Sequence, residues 1–225
     1  MQQEIKTISL KLPFRMGSVN CYLIKPDTGF ILIDTGGSNS RKELLGELER
    51  AGCKPGLLKL ILITHGDFDH TGNAAYLRDT LGGKIAMHPD DSDMVEQGDM
   101  FANRKKPNIL IRKIIPFFFG FGKAERFTPD LFVEDRDDLS VYGLEAKIIS
   151  IPGHSKGSIG ILTATTDLFC GDLLENMDEP VLNTIMDDVK TAKASVQKLE
   201  SMTIGTVYPG HGKPFPMRLV TKSNL

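Results

Sequence analysis

The chain has 225 residues, 40% of them hydrophobic and 25% charged, and it carries a formal net charge of −2 at pH 7. This composition is typical of a globular protein with a sizeable core and argues against a general polyanion binder, so we expect no nucleic-acid partner. Residues 1–14 have no basic start followed by an apolar block, and no apolar run approaches the ~20 residues of a membrane span, so we expect neither a secretion signal nor a membrane span. We therefore expect a cytoplasmic protein with reduced cysteines.

The first part of the chain has the patterning of strands joined by turns, with helices between them. We predict strands, in chain order, at 5–12, 20–25, 30–34, 57–63 and 84–87. We predict helices at 40–51, where leucines recur with helical spacing, and at 71–81, which a Gly-Gly pair ends. The segment 57–63 is mostly apolar, which indicates a strand covered on both faces.

The second part begins with an irregular segment from about Asp90 to Phe127, which we interpret as an insertion within one domain of residues 1–225. Beyond it we predict strands at 139–141, 146–151, 159–164, 167–170 and 206–208, and an amphipathic helix at 187–200. Because strand and turn motifs recur in both halves, we predict two mixed β-sheets packed face to face with helices on both outer faces.

The densest cluster of candidate ligands is the hexapeptide His65-Gly-Asp-Phe-Asp-His70, which directly follows an apolar run. Four more candidates follow apolar strands at turns that contain glycine, namely Asp34, His154, Asp172 and His211. Ligands at strand ends can converge on one rim, and imidazole with carboxylate suits zinc, iron or manganese. A lone histidine is more often a hydrogen-bonded core residue, as we expect for His88, but the whole set favours metal binding.

These motifs resemble those of the metallo-β-lactamase superfamily, including its glyoxalase II-like and lactonase-like hydrolases, from Asn20 to His211. The resemblance implies a four-layer αββα sandwich with two divalent metal ions at one edge, zinc in first place and iron or manganese as alternatives. It implies a first ion bound by His65, Asp67 and His154, a second bound by Asp69, His70 and His211, and Asp172 as the bridge between them. Asp34 would orient the ligand loops, and Asp69 could also orient the nucleophile.

Asp67 stands where the common motif of this superfamily has histidine. Two divalent ions, a bridging hydroxide and three aspartates form a nearly neutral cluster, which predicts a weaker Lewis acid than a cluster with a third histidine at the first ion. Oxygen ligation also favours iron or manganese at the first ion, although a tolerated zinc site is the simpler alternative. We expect Asp67→His to keep the fold and to increase zinc retention.

The resemblance implies a metal-dependent hydrolase in which a metal-bridging hydroxide attacks a small ester, thioester, lactone or phosphoester. Acidic Glu175, Asp178 and Glu179 replace the basic residues of glyoxalase II-like enzymes, which disfavours glutathione thioesters. An iron-dependent redox enzyme is an alternative, because flavodiiron proteins carry glutamate at the position of Asp67. A non-catalytic metal-binding protein is the third alternative.

The segment from Arg104 to Arg126 contains seven basic residues and one acidic residue. It also contains four phenylalanines that could form a lid over an apolar substrate with an anionic head: Phe117, Phe118, Phe119 and Phe121. A homodimer contact and a membrane-surface contact are alternatives, of which we do not favour the membrane. A loop that packs on the core with a solvated charged face is the simplest interpretation.

Overall fold

The computed structural model describes residues 4–13, 16–104 and 108–221, apart from the side chains of residues 111–113 and 115. The first half forms a six-stranded sheet in which the strands follow one another in chain order. Its strands are β1 (Glu4–Lys11), β2 (Ser18–Lys25), β3 (Phe30–Ile33), β4 (Leu58–Leu62), β5 (Lys84–Met87) and β6 (Leu131–Phe132). The pairs β1–β2 and β2–β3 are antiparallel, whereas β3 to β6 run parallel.

The second half forms a five-stranded sheet of order β13-β12-β9-β8-β7 and a separate two-stranded sheet of β10 and β11. The larger sheet consists of β7 (Ala146–Ser150), β8 (Ile159–Thr163), β9 (Asp167–Gly171), β12 (Thr206–Pro209) and β13 (Phe215–Pro216). The small sheet consists of β10 (Leu174–Glu175) and β11 (Val181–Leu182). Because β12 pairs parallel with β9 and the other pairs are antiparallel, this sheet is also mixed.

Helices cover the outer faces of both sheets. The described helices are α1 (Arg41–Arg50), α2 (Phe68–Thr71), α3 (Ala74–Leu81), α4 (Ser92–Gln97), α5 (Ile109–Phe118) and α6 (Val189–Glu200). In the described part of the chain, none of them is both long and apolar enough to cross a bilayer.

Alternation along the strands builds three apolar layers. In β3, Leu32 faces the outer layer with α1 and α3, whereas Ile31 and Ile33 face the layer between the two sheets. Phe169 of β9 closes that central layer from the other sheet, and Leu168 faces the opposite way, towards α6. The layers therefore run helix, sheet, sheet, helix, and the predicted αββα sandwich is confirmed.

The structure corrects three predicted elements. The helix predicted at 71–81 is two helices, α2 and α3, with Gly72 and Asn73 between them. The strand predicted at 139–141 is a turn of 3₁₀ helix at Ser140–Tyr142, where the Asp138 carboxylate accepts a hydrogen bond from the Ser140 backbone N–H. The irregular segment contains α4 and α5, which the sequence concealed because α4 has only six residues and α5 contains Pro116.

Candidate metal centre

The candidate ligands converge on one edge of the sandwich, because each lies just beyond a strand. Asp34 follows β3, the hexapeptide that starts at His65 follows β4, His154 follows β7, Asp172 follows β9 and His211 follows β12. Gly210 allows the closest approach, since a Cβ atom there would collide with Asp172 Oδ1 and crowd the His70 ring. The sequence motifs therefore mark loops that meet in space.

One group consists of Asp69, His70 and His211, whose ligand atoms all lie within 4.8 Å of one another. His211 Nε2 lies 3.6 Å from Asp69 Oδ2, and His70 Nε2 lies 4.0 Å from the same oxygen. Asp172 also faces this group, with its Oδ1 3.3 Å from His70 Nε2 and its Oδ2 3.2 Å from His211 Nε2.

A second group consists of His65, His154 and Asp172, whose ligand atoms again lie within 4.8 Å of one another. Asp172 Oδ2 lies 3.9 Å from His65 Nε2 and 4.0 Å from His154 Nε2. Asp67 faces the same space, because its Oδ2 lies 3.8 Å from His65 Nε2 and 3.0 Å from His154 Nε2. Asp172 thus lies between the two groups, where a bridging ligand is expected.

The polar atoms that face the centre fit metal ions. Within the described residues, His65 Nε2, His70 Nε2 and Asp172 Oδ1 are buried and make no hydrogen bond. Burial of polar atoms without partners is costly, so such atoms together indicate a ligand that would satisfy them. Ligand bonds of about 2.0–2.2 Å around a tetrahedral ion place neighbouring donor atoms about 3.3–3.6 Å apart, which the distances above bracket.

The histidines are oriented through their other ring nitrogen. His70 Nδ1 donates to Asp34 Oδ2 at 2.9 Å, His154 Nδ1 donates to the Ile185 carbonyl at 2.7 Å and His211 Nδ1 donates to the Ser18 carbonyl at 2.8 Å. Because these acceptors are carbonyl or carboxylate oxygens, Nδ1 must carry the proton. Each Nε2 therefore points into the centre, where it can bind a metal ion once it is deprotonated.

Asp34 holds the hexapeptide in place through hydrogen bonds on the side that faces away from the candidate metal ligands. Its backbone has a positive φ of 57°, which asparagine and aspartate tolerate better than most residues. Its carboxylate accepts hydrogen bonds at 2.8 Å from both the backbone N–H and the hydroxyl of Thr64, in addition to the one from His70. The structure thus places Asp34 behind the ligands, where the sequence analysis expected it.

Asp91 ties two ligand loops together and was missed by sequence reasoning. Its buried carboxylate accepts hydrogen bonds from the Gly66 N–H at 3.0 Å, the Gly157 N–H at 2.9 Å and the Ser155 hydroxyl at 2.6 Å. Gly66 belongs to the hexapeptide and Ser155 follows His154, so one side chain fixes the spacing of both loops. A signal existed, because Asp91 follows a strand as the candidate ligands do.

Arg104 lies against Asp67 and was also missed. Its side chain is only 6% exposed; Nη1 donates to Asp67 Oδ1 and Nη2 donates to the His154 carbonyl at 3.2 Å. Its Nε donates to Asp187 Oδ2 at 2.8 Å. Burial raises the pKa of Asp67, but Arg104 and His154 outweigh that effect and hold it well below its usual range. In the sequence, Arg104 is one charge of a basic segment, and nothing local marks it as buried.

A cavity of about 620 Å³ opens onto both groups, a volume within the range of small-molecule sites. Apolar side chains that line it include Leu12, Met100, Phe101, Phe119, Ile185 and Met186. Apart from the candidate ligands, the charged side chains among its described lining residues are Arg104, Glu175 and Asp187. Arg104 is engaged by carboxylates, so the charge that the wall presents to a substrate is acidic.

The four phenylalanines of the predicted lid have different positions. Phe119 lines the cavity, whereas Phe121 is buried in the core and stacks on Phe68 with ring centroids 4.1 Å apart. Phe117 and Phe118 are exposed and do not line the cavity. The prediction that Phe121 belongs to a lid is therefore wrong, because its ring faces the outer apolar layer. Of the four phenylalanines, Phe119 is the one that lines the cavity.

Metal binding should displace a proton from His211. Burial lowers the pKa of this imidazole, but the opposite effect of the Asp172 carboxylate is larger and raises the pKa to about 9. The metal-free ring is therefore protonated at neutral pH. Because only a neutral Nε2 binds a metal ion, loss of this proton should raise the affinity for Zn²⁺ up to ~tenfold per pH unit until about pH 9. Calorimetric titrations in buffers of different ionisation enthalpy measure the released proton. An affinity that stays constant between about pH 6 and 8 would contradict the expectation.

Comparison with known proteins agrees with this geometry. A family model described as the metallo-beta-lactamase superfamily matches residues 15–211. The chain is 32% identical over 207 residues to the probable metallo-hydrolase MJ0888 of Methanocaldococcus jannaschii, a match that covers 87% of this chain and 88% of that protein. It is 26% identical over 217 residues to the acyl-coenzyme A thioesterase MBLAC2 of Bos taurus, with 87% and 74% covered.

A solved structure has the same architecture. The crystal structure of TTHA1623 in a di-iron-bound form superposes with a TM-score of 0.74 and 25% sequence identity, and the match covers 97% of this chain and 98% of that one. The family model spans most of the chain, and the two groups of candidate ligands lie at the edge of an αββα sandwich. The chain therefore belongs to the metallo-beta-lactamase superfamily.

Proposed function

We propose that this protein is a metal-dependent hydrolase of small esters or thioesters whose acyl group is apolar. The observation that carries the proposal is that the two ligand groups open onto a cavity with a largely apolar wall. The similarity to a probable metallo-hydrolase and to an acyl-coenzyme A thioesterase supports the same reaction class.

The residues divide the work as follows. His65, Asp67 and His154 would hold one ion, Asp69, His70 and His211 the other, and Asp172 would contact both. Divalent ions held there would supply the Lewis acidity that activates water and polarises a substrate carbonyl. Asp69 lines the cavity and lies beside His211, so its carboxylate can orient the attacking water molecule. Asp34 and Asp91 keep the ligand loops in register and touch no substrate.

We propose two divalent ions, zinc first and iron or manganese as alternatives. Four imidazoles and three carboxylates suit all three metals. The di-iron form of TTHA1623 and the carboxylate of Asp67 favour iron as a specific second candidate, and with it an iron-dependent redox enzyme. Metal analysis after growth with both metals identifies the bound ion. Reloading with zinc alone then separates the two functions, because a hydrolase keeps its esterase activity with zinc.

The shape and charge of the cavity support the acyl assignment. Phe119 and Met100 form an apolar wall, on which each buried methylene of a substrate contributes about 0.8 kcal/mol. Glu175 lies on the wall and would repel an anionic leaving group such as glutathione. The proposal therefore places the acyl chain against the apolar wall and a neutral or cationic leaving group towards the acidic residues.

The fully metallated protein should show a preference for long acyl chains. We expect kcat/KM for p-nitrophenyl esters to rise at least ~tenfold from acetate to octanoate, because part of each added methylene is buried. Phe119→Ala should remove most of this gain and leave acetate turnover within ~twofold. Phe117→Ala is the matched control, since Phe117 is 82% exposed and does not line the cavity.

The leaving group gives the second arm of the test. An octanoyl thioester of neutral N-acetylcysteamine should react faster than the octanoyl thioester of glutathione. No turnover of any ester or thioester by fully metallated protein would favour a non-catalytic metal-binding role. Equal kcat/KM for all chain lengths would remove the acyl cavity from the proposal.

A further inference from the structure

The two oxygens of Asp67 have different partners. Oδ1 accepts from Arg104, whereas Oδ2 faces His65 Nε2 at 3.8 Å and His154 Nε2 at 3.0 Å. The carboxylate is nearly buried, so it has little freedom to exchange the two oxygens. Arg104 therefore holds Asp67 with one oxygen turned towards the ligand group and the other turned away from it.

Arg104 is itself fixed on three sides. Besides Asp67, it donates to the His154 carbonyl at 3.2 Å and to Asp187 at 2.8 Å. The contacts with Asp67 and with the His154 carbonyl join the loops that carry these two candidate ligands. Asp187 lies on the cavity rim with its side chain 32% exposed, so solvent screens its charge more than that of Asp67. The charge of Arg104 acts chiefly on the buried partner.

The positive charge of Arg104 changes the balance of the centre. Asp67, Asp69 and Asp172 bring three negative charges, and Arg104 returns one positive charge beside the first of them. The protein then presents the net charge of a centre with two carboxylates and a histidine in place of Asp67. An arginine suits this role because it stays protonated and binds a carboxylate through directed donors.

We infer that Asp67 and Arg104 act as a matched pair that takes the place of the histidine found in the common motif. Arg104 is a positioning residue for the first metal site: it aims Asp67 Oδ2 and offsets the charge of that carboxylate. The inference rests on the proposed metal centre but not on any hydrolytic activity. It changes the expectation for Asp67→His, because that substitution leaves only the partly exposed Asp187 to offset the charge of Arg104 near the first ion.

A double-mutant cycle on metal binding tests the pair. The proteins are the parent chain, Arg104→Met, Asp67→His and the double variant, each titrated with Zn²⁺ against a chromophoric chelator. The second site serves as the internal reference, because its ligands are the same in all four proteins. Lys123→Met is the matched control, since it removes an exposed positive charge from the same segment outside the cavity wall.

We expect Asp67→His to weaken zinc binding at the first metal site at least ~tenfold. The zinc affinity of that site in the double variant should be within ~threefold of that in the parent chain. Removing Arg104 should therefore strengthen zinc binding at least ~threefold in the Asp67→His background but weaken it in the parent chain. The zinc affinity of the second metal site should stay within ~twofold of the parent value in all variants. Both sites of Lys123→Met should also stay within ~twofold of the parent chain. Equal effects of Arg104→Met in both backgrounds would overturn the inference.

Thermal unfolding provides a readout that a purely structural role would not give. In chelator, Arg104→Met should lower Tm by about 10 °C, because it leaves a buried carboxylate without its partner. Zinc should enlarge that loss, because a weakened first site adds less stability to the variant than to the parent chain. In the Asp67→His background the loss in chelator should vanish. A loss of equal size with and without zinc would make Arg104 a structural residue only and overturn the inference.

If Arg104→Met does not fold, Arg104→Gln completes the cycle, because it keeps a donor for Asp67 but removes the charge. Arg104→Lys should retain the charge and recover most of the zinc affinity. Failure of the esters to react would refute the proposed hydrolase and leave these metal-binding results as they are. Failure of the cycle would leave the hydrolase proposal intact.

Discussion

Replacing Asp172 with alanine should reduce kcat/KM for ester hydrolysis at least ~1,000-fold in metal-reconstituted protein. Asp172 is the one carboxylate whose oxygens lie within 4.0 Å of His65, His70, His154 and His211 among the described residues. Its loss would separate the two groups and remove a ligand from each. Steady-state kinetics with p-nitrophenyl octanoate measure the effect, and circular dichroism checks that the variant is folded.

Glu175→Gln is the matched control for that substitution. Glu175 lies three residues further along the chain and lines the same cavity, but it belongs to neither ligand group. The activity of the Glu175→Gln variant towards neutral esters should remain within ~threefold of that of the parent chain. Activity of Asp172→Ala comparable to that of Glu175→Gln would show that the reaction does not depend on the shared carboxylate, and the proposed mechanism would be wrong.

Asp91→Ala should lower the free energy of unfolding by about 3–5 kcal/mol, which corresponds to a Tm decrease of about 10 °C. The reason is that the Gly66 N–H, the Gly157 N–H and the Ser155 hydroxyl are buried and share this carboxylate. Differential scanning calorimetry of the metal-free protein gives the shift. Because both ligand loops lose their common anchor, zinc retention during mild chelation should fall as well.

Asp90→Ala controls for the removal of a charge from the same turn. The Asp90 side chain is 59% exposed, so its loss should change Tm by less than ~2 °C. A Tm for Asp91→Ala within that same margin would mean that the two loops hold their spacing without Asp91.

Sequence reasoning reached the candidate ligands because each motif combines an apolar strand, a turn and a polar side chain. A rule that places strand ends on one edge is enough to bring His65, His154 and His211 together. It also reached the αββα layers, since strand and turn motifs recur in both halves and resemble those of a family with that fold. These features are local along the chain, and local patterns survive in a single sequence.

What sequence reasoning missed depends on contacts between distant segments. Arg104 and Asp67 are 37 residues apart, and nothing in a run of basic residues distinguishes the one that is buried. The structure shows that this residue points inward, which changes the charge of the centre. The anionic-head prediction for the basic segment loses Arg104, its one described basic residue on the cavity wall, because carboxylates already bind that side chain.

The insertion was misread for a related reason. Pro116 and a run of phenylalanines hide the helical spacing of α5, and the stacking of Phe121 on Phe68 is a contact that no local pattern encodes. Lys105 and Lys106, which belong to the predicted basic segment, lie outside the described residues. The predicted homodimer and membrane-surface contacts of this segment stay predictions.

The most direct test is a crystal structure of the protein as purified with metal, with each ion identified by anomalous scattering. We predict two ions bridged by Asp172, the first bound by His65, Asp67 and His154 and the second by Asp69, His70 and His211. Asp67 should face the first ion with Oδ2 and keep Oδ1 on Arg104. A single ion, or an Asp67 turned wholly towards Arg104 with the first ion bound elsewhere, would contradict this description of the centre.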